Sequence, residues 1–191
     1  TRGMSSAASD VYKRQGYITI DAEVFAENFA IFLTVVAFIY FSYLFLFAGL
    51  SKAEKKNLFL LLILFIGAVA FWSGFDQSGS SLSLFAKEFT DLNVLGYEIP
   101  VGWLQLANPI FVVIFAPIFA GIWMHLGRIN LDPSLPLKFS IGLFFMALSF
   151  GVMIYAVNLA MEVSPVGMQW LIITYLLQTW GELALSPIGL S

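Results

Sequence analysis

Residues 29–50 read FAIFLTVVAFIYFSYLFLFAGL and contain no charged residue. A helix needs about 20 mostly apolar residues to cross the hydrocarbon core of a bilayer, which is roughly 30 Å thick. Four more stretches of sufficient length and apolarity follow along the chain, at 58–86, 104–126, 139–161 and 168–191. No alternation of apolar and polar residues, as in a strand or a barrel, occurs between them. The sequence therefore predicts an all-α, polytopic membrane helix bundle.

The composition excludes several classes of protein. The chain has 191 residues, of which 60% are hydrophobic and 11% are charged, whereas a soluble domain has about a quarter of its residues charged. A net charge of −3 argues against binding to nucleic acid. Cysteine is absent and there is a single histidine, so thiol chemistry and a zinc cluster are excluded and a catalytic metal site is disfavoured. We expect neither an enzyme nor a bound cofactor.

The connectors between the predicted spans are short, and their charges alternate. Those at 51–57 and 127–138 are basic, while those before 29, at 87–103 and at 162–167 are mainly acidic. Because basic loops remain in the cytoplasm, the first span is predicted to run from outside to inside. Residues 1–15 share neither the composition nor the periodicity of the rest, and we expect them to be a non-native or disordered leader.

Two acids, Asp76 and Glu182, lie within the predicted spans. An ionised carboxylate costs roughly 2.5 kcal/mol or more in the membrane, so such a residue is a functional candidate. No Lys or Arg of this chain lies at their depth. Each acid must therefore be protonated, face water or pair with a cation from elsewhere, as in a proton-coupled carrier. The alternative is a carboxyl group near a helix end that reaches water.

Polar residues recur around both acids at the spacing of a helix. Residues one turn apart share a face, which predicts three stripes: Trp72, Asp76 and Ser80; Ser73, Gln77 and Ser81; and Gln178, Glu182 and Ser186. Serine also serves in close packing between membrane helices, so a single serine decides little.

Asn108 directly precedes Pro109 in the third predicted span, and Pro117 follows. Each proline removes a helix donor and is predicted to kink the helix. A carboxamide at such a break can bind a peptide-like ligand or hydrogen-bond its own backbone, and both interpretations stay open.

Four segments occur in the order found in one known family: FWSGFDQSGSSLSLFAKEFTD (71–91), LANPIFVVIFAPIFAGIW (106–123), PLKFSIGL (136–143) and GELALSPIGLS (181–191). Together they resemble the proton-dependent oligopeptide transporters of the major facilitator superfamily, over about 16–191. The resemblance implies that 16–57 is a linker between two bundles, with one transmembrane helix. It also implies that 58–191 forms the first four helices of a truncated C-terminal bundle, and that the N-terminal half is missing.

The resemblance also implies roles for individual residues. Trp72, Asn108 and Ser186 align with residues that line the substrate cavity, and Gln178 joins them because it shares the stripe of Glu182. Glu182 aligns with an acid that meets the α-amino group of the peptide or a lysine of the N-terminal half. Asp76 aligns with an acid that pairs with an arginine of that half in gating and proton coupling.

We therefore expect proton-coupled symport of di- and tripeptides across the bacterial cytoplasmic (inner) membrane, with the proton as coupling ion and no other cofactor. The expected partners are the peptide, protons, the lipid bilayer and the N-terminal half. A non-transporting membrane receptor or assembly subunit of the same ancestry is the alternative. An intramembrane aspartyl protease is disfavoured, because it needs two facing aspartates and the predicted spans contain one.

Overall fold

The computed structural model describes residues 22–94 and 96–185. The chain divides into two compact units, Thr1–Leu62 and Ile63–Ser191. The helices are α1 (Ala22–Leu46), α2 (Lys52–Phe75), α3 (Ser81–Phe89), α4 (Val101–Gln105), α5 (Ala107–Arg128), α6 (Leu135–Glu162) and α7 (Gln169–Leu185), with a 3₁₀ helix at Asp76–Gly79. The prediction of an all-α bundle is confirmed.

The described helices are long enough to cross a membrane at four places, namely Val24–Leu46, Lys52–Phe89, Val101–Arg128 and Leu135–Glu162. These segments correspond to the first four predicted spans. Large apolar side chains on them are widely exposed, for example Phe38 at 74% and Val113 at 76%. Such surfaces are unfavourable in water and are suited to lipid.

The fifth predicted span, 168–191, is described only in part. Its helix α7 covers Gln169–Leu185, a length of 17 residues, which is short of the roughly 20 that a crossing needs. Residues 186–191 lie outside the described residues. The fifth crossing therefore stays a prediction.

A hydrogen-bonded cap starts α2 in the first unit. Ser51 and Glu54 form a capping box, in which Ser51 N donates to Glu54 Oε2 at 2.8 Å and Glu54 N donates to Ser51 Oγ at 3.3 Å. These bonds satisfy backbone donors that the first turn leaves free. The apolar part of α2 begins at Leu58, about two turns after Ser51.

The second unit is organised around the contact between α6 and α7. A Cβ atom added at Gly181 would lie 2.9 Å from the carbonyl oxygen of Gly142 and 3.0 Å from the ring of Phe71. The two helix backbones can therefore approach this closely only because both positions are glycine. Leu171 and Tyr175 of the same helix α7 are almost fully buried. Nine of the 17 residues of α7 are buried, so it is the most enclosed long helix of the described unit.

Two-residue strands join the connectors at one end of this unit. Strand β1 (Thr90–Asp91) pairs in parallel with β4 (Val166–Gly167), while β2 (Asn93–Val94) pairs antiparallel with β3 (Tyr97–Glu98). The β1–β4 pair brings together the connectors after α3 and α6. The charge pattern had assigned both connectors to the same side of the membrane.

We predict that Gly181→Ala destabilises the protein by about 1–3 kcal/mol, because the new methyl group meets a backbone carbonyl that cannot move aside independently. The measurement is thermal unfolding in detergent of the protein made from the complete reading frame that encodes this sequence. Gly151→Ala is the matched control, since nothing lies within 4 Å of its added Cβ atom. Equal melting temperatures for the two variants would contradict the proposed close approach.

Candidate functional site

A hydrogen-bonded group of three side chains joins α5 to α7. Asn108 Nδ2 donates to Thr179 Oγ1 at 3.0 Å and to Glu182 Oε2 at 3.3 Å. Thr179 is fully buried and its hydroxyl donates in turn to the Tyr175 carbonyl at 2.8 Å. Glu182 is half-buried. The structure thus brings together Asn108 and Glu182, which the sequence had singled out separately.

The α-helical geometry of α7 sets the position of two predicted residues. Gln178 and Glu182 are one turn apart within Gln169–Leu185, so they lie on neighbouring positions of one face, as predicted. Gln178 is 1% exposed, whereas Glu182 is less enclosed. Ser186, the third member of the predicted stripe, lies outside the described residues.

Asn108 lies at the start of a helix, not in the middle of one. The third predicted span is interrupted at Leu106, between α4 and α5, so Pro109 falls in the first turn of α5. The predicted disruption of the helix at Pro109 agrees with this break, because Leu106 lies three residues before the proline, in the turn where its missing donor would have bonded. The Asn108 side chain reaches across to α7 through the bonds given above.

Asp76 and Trp72 lie apart from this hydrogen-bonded group. Asp76 begins the 3₁₀ helix and its side chain is exposed, while Trp72 is 50% exposed and packs edge-on against Phe71 and Phe75. A 3₁₀ helix has 3.0 residues per turn, so side-chain directions change where α2 ends. Trp72 and Asp76 remain one helical turn apart, and the 3₁₀ helix alters only the continuation of the predicted stripe to Ser80. The roles predicted for Trp72 and Asp76 stay predictions.

The neighbouring stripe is linked by hydrogen bonds through Gln77. Gln77 Nε2 donates to the Ser73 carbonyl at 3.4 Å, and Gln77 Oε1 accepts from Ser81 Oγ at 2.7 Å. Ser80 Oγ also donates to Gln77 Oε1, at 3.3 Å. Gln77 therefore bridges the 3₁₀ helix and stabilises the break that exposes Asp76.

Neither candidate acid has a basic partner within residues 22–94 and 96–185. The ion pair found there joins Lys138 Nζ to Asp132 Oδ1 at 2.8 Å, and Lys138 also lies 5.0 Å from the ring centre of Trp123. This lysine, in the first turn of α6, is thus paired with a residue of the connector between α5 and α6. The same described residues contain no group of three His, Cys, Asp or Glu side chains able to hold a metal ion.

Thr179, which no sequence pattern singled out, accepts the shorter of the two Asn108 bonds. A threonine in an apolar span usually bonds its own helix, and Thr179 does so as well. Its second role, as acceptor of the Asn108 hydrogen bond, depends on where α5 packs. The spacing of residues along α7 gives no information about that packing. The polar run Gln178-Thr179 was the available signal.

Long apolar helices that carry a half-buried, hydrogen-bonded acid are typical of a multi-pass membrane protein with a functional site among its helices, and the architecture is that of the major facilitator superfamily. A match to the POT family covers residues 11–191. The chain belongs to this family of transporters.

Individual relatives agree with the family match. The peptide transporter YePEPT of Yersinia enterocolitica subsp. palearctica is 38% identical over 179 residues, which are 93% of this chain and 35% of the relative. A di-/tripeptide transporter of Lactococcus lactis subsp. cremoris is 32% identical over 161 residues, which are 82% of this chain and 32% of the relative. The chain thus spans about a third of the length of these curated relatives.

Solved structures show the same fold. The crystal structure of a mutant peptide transporter POT in complex with alafosfalin matches with a TM-score of 0.80 and 30% sequence identity. The match covers 99% of this chain and 38% of that one.

We predict that Thr179→Val destabilises the protein by about 1 kcal/mol more than Thr174→Val, as measured by thermal unfolding in detergent. Both threonines are fully buried and both donate to the carbonyl four residues earlier, at 2.8 Å. Only Thr179 also accepts a bond from another helix, and losing that acceptor costs about 0.5–1.5 kcal/mol. Equal destabilisation by the two variants would show that the bond to Asn108 contributes nothing.

Proposed function

We propose that this chain forms part of a proton-coupled symporter that moves di- and tripeptides across the cytoplasmic membrane of a bacterium. The observation that carries the proposal is the half-buried Glu182 carboxylate, held by Asn108 among apolar helices with no base of the described residues beside it. The names of the relatives, a peptide transporter and a di-/tripeptide transporter, support the same substrate class.

Glu182 is suited to binding an ammonium group. Its Oε2 atom accepts the Asn108 bond, and its Oε1 atom accepts no hydrogen bond from the described residues. An anion in an apolar environment is stabilised strongly by a cation or by a proton. The α-ammonium of a peptide can occupy this position, and Glu182 also takes part in proton coupling. Because symport moves both cations in one direction, the proton is carried by another acid, such as Asp76, while Glu182 holds the ammonium group.

Asn108 acts in this proposal as a positioning residue. Its two bonds hold the carboxylate of Glu182 relative to Thr179, so the oxygen that receives the ammonium group is oriented before the peptide arrives. Preorganisation of this kind lowers the cost of binding, because less freedom is lost on complex formation.

Asp76 is proposed to act at a gate. It lies exposed where α2 gives way to the 3₁₀ helix, and no base of the described residues pairs with it. An arginine on the other bundle of the transporter would supply the partner. Formation and loss of that pair would accompany the rocking of the two bundles that gives alternating access.

We predict that Glu182→Gln lowers uptake of Ala-Ala driven by a proton gradient by about thirtyfold or more. Removing one partner of a buried charge pair costs about 2–5 kcal/mol, and glutamine keeps the shape but not the charge. The measurement is uptake into liposomes that contain the protein from the complete reading frame. Glu162→Gln, at the exposed end of α6, is the control and should transport normally. Undiminished uptake by Glu182→Gln with normal proton dependence would refute the role of Glu182.

A second prediction concerns Asp76. Asp76→Asn should slow proton-driven uptake and alter the ratio of driven uptake to peptide counterflow, since the proposed gate pair would be lost. Asp91→Asn is the control, because Asp91 is exposed and its Oδ1 atom accepts a hydrogen bond from the backbone N–H of Asn93. The side-chain oxygen of an asparagine can accept the same bond. If Asp76→Asn leaves both assays unchanged, the proposed gating role is wrong.

These assays also test the alternative of a receptor or assembly subunit without transport. Such a protein would show no Ala-Ala uptake and no peptide-stimulated entry of protons into the liposomes. No feature of the described residues favours that alternative.

A further inference from the structure

A cavity of about 160 Å³ lies next to the hydrogen-bonded group of Asn108 and Glu182. Asn108 belongs to both, since it lines the cavity and also donates to the Glu182 carboxylate. The described residues that line the cavity are Phe75, Ser78, Gln105, Asn108, Tyr175 and Gln178. Glu182 itself is not among them, so the cavity is a neighbouring compartment.

The cavity is polar but uncharged. Its described lining includes a hydroxyl-bearing serine, a tyrosine and three carboxamides, and it includes no acid or base. A charged group placed there would lose its hydration without gaining an opposite charge. A neutral group that carries oxygen or nitrogen could instead exchange water for protein hydrogen bonds.

Gln178, which lines this cavity, has a side-chain donor without a hydrogen-bond partner. The residue is 1% exposed, and its Nε2 atom is buried without a hydrogen-bond partner. The two other lining carboxamides are engaged, since Gln105 Nε2 donates to Ser83 Oγ at 2.7 Å and Asn108 Nδ2 donates to Thr179 and Glu182. A buried amide without a partner is costly, which favours any occupant that brings an acceptor.

The position of Gln178 relative to Glu182 relates this cavity to a bound peptide. The two residues are one turn apart on α7, about 6 Å along the helix axis. In a peptide, the carbon that carries the α-ammonium group also carries the first side chain. With the ammonium group on Glu182, that side chain begins two bonds from the ammonium nitrogen, so it is within reach of a cavity one helical turn away.

We infer that the cavity receives the side chain of the first residue of a peptide and favours neutral side chains with a carboxamide or hydroxyl, through the amide of Gln178. The inference rests on the proposed function and specifies the substrate class for the same site. The size is suitable, since a cavity of about 150 Å³ admits a molecule as large as benzene. Asparagine and glutamine side chains fit this limit.

Competition between two matched peptides tests the inference. Asn-Ala and Leu-Ala have first side chains of the same shape, and only asparagine offers an acceptor. Each peptide would compete with labelled Ala-Ala for uptake by the protein from the complete reading frame, reconstituted in liposomes. Gln178→Met should lower the preference for Asn-Ala over Leu-Ala by about five- to tenfold, the value of one hydrogen bond. The preference between Ala-Asn and Ala-Leu should not change.

Gln169→Met is the matched control, because Gln169 is an exposed glutamine of the same helix and does not line the cavity. It should leave both preferences unaltered. A second variant, Gln178→Asn, keeps the carboxamide but withdraws it by one methylene group. It should shift preference from Asn-Ala towards the longer Gln-Ala, and this shift is measurable even if Gln178→Met fails to fold.

The possible results separate the two proposals. Absence of Ala-Ala uptake by the unmodified protein would overturn the proposed function and this inference with it. Normal Ala-Ala uptake by the unmodified protein, with the same Asn-Ala to Leu-Ala preference in the Gln178 variants, would overturn this inference alone.

Discussion

The hydrogen bonds of Asn108 to Thr179 and Glu182 are the contact on which the candidate site depends. A polar group buried among apolar helices cannot form hydrogen bonds with water, so its partner must come from the protein. These hydrogen bonds join the start of α5 to the C-terminal half of α7. They also orient the Glu182 carboxylate, which packing alone would not do. The close approach of Gly142 and Gly181 then holds α6 against the same helix. Helix α7 is therefore enclosed on the sides where the site is built.

The charges of the described residues are separated by location. The acids Asp76 and Glu182 have no ion-pair partner among the described residues, while Lys138 of α6 pairs with Asp132 of the preceding connector. An ionised, unpaired acid at membrane depth is costly, and binding a cation offsets that cost. In the proposed function those cations are a proton, the peptide ammonium and a base of the other bundle. The absence of local partners is thus what makes the acids available for exchange.

The proposed site divides recognition into two physical parts. The Glu182 carboxylate binds the ammonium group that every peptide has. It therefore contributes affinity without distinguishing one peptide from another. The neutral cavity beside Asn108 addresses a part that differs between peptides, and Gln178 is its unpaired donor. Hydrogen bonds to buried polar groups discriminate through the cost of leaving them unmade. Asn108 contacts both parts and so links affinity to selectivity.

Sequence alone determined the membrane bundle, its first four apolar segments and the face shared by Gln178 and Glu182, because hydropathy and helical period are local properties that depend on residue type and spacing. It also predicted a break of the helix at Pro109, but it did not reveal the 3₁₀ helix at Asp76, since apolarity does not report which backbone bonds form. Only the tertiary structure placed Thr179 opposite Asn108 and left Gln178 unpaired at a cavity. Both facts depend on how α5 packs against α7. The contacting residues of these helices are about 70 positions apart in the chain, so no local sequence pattern reports their packing.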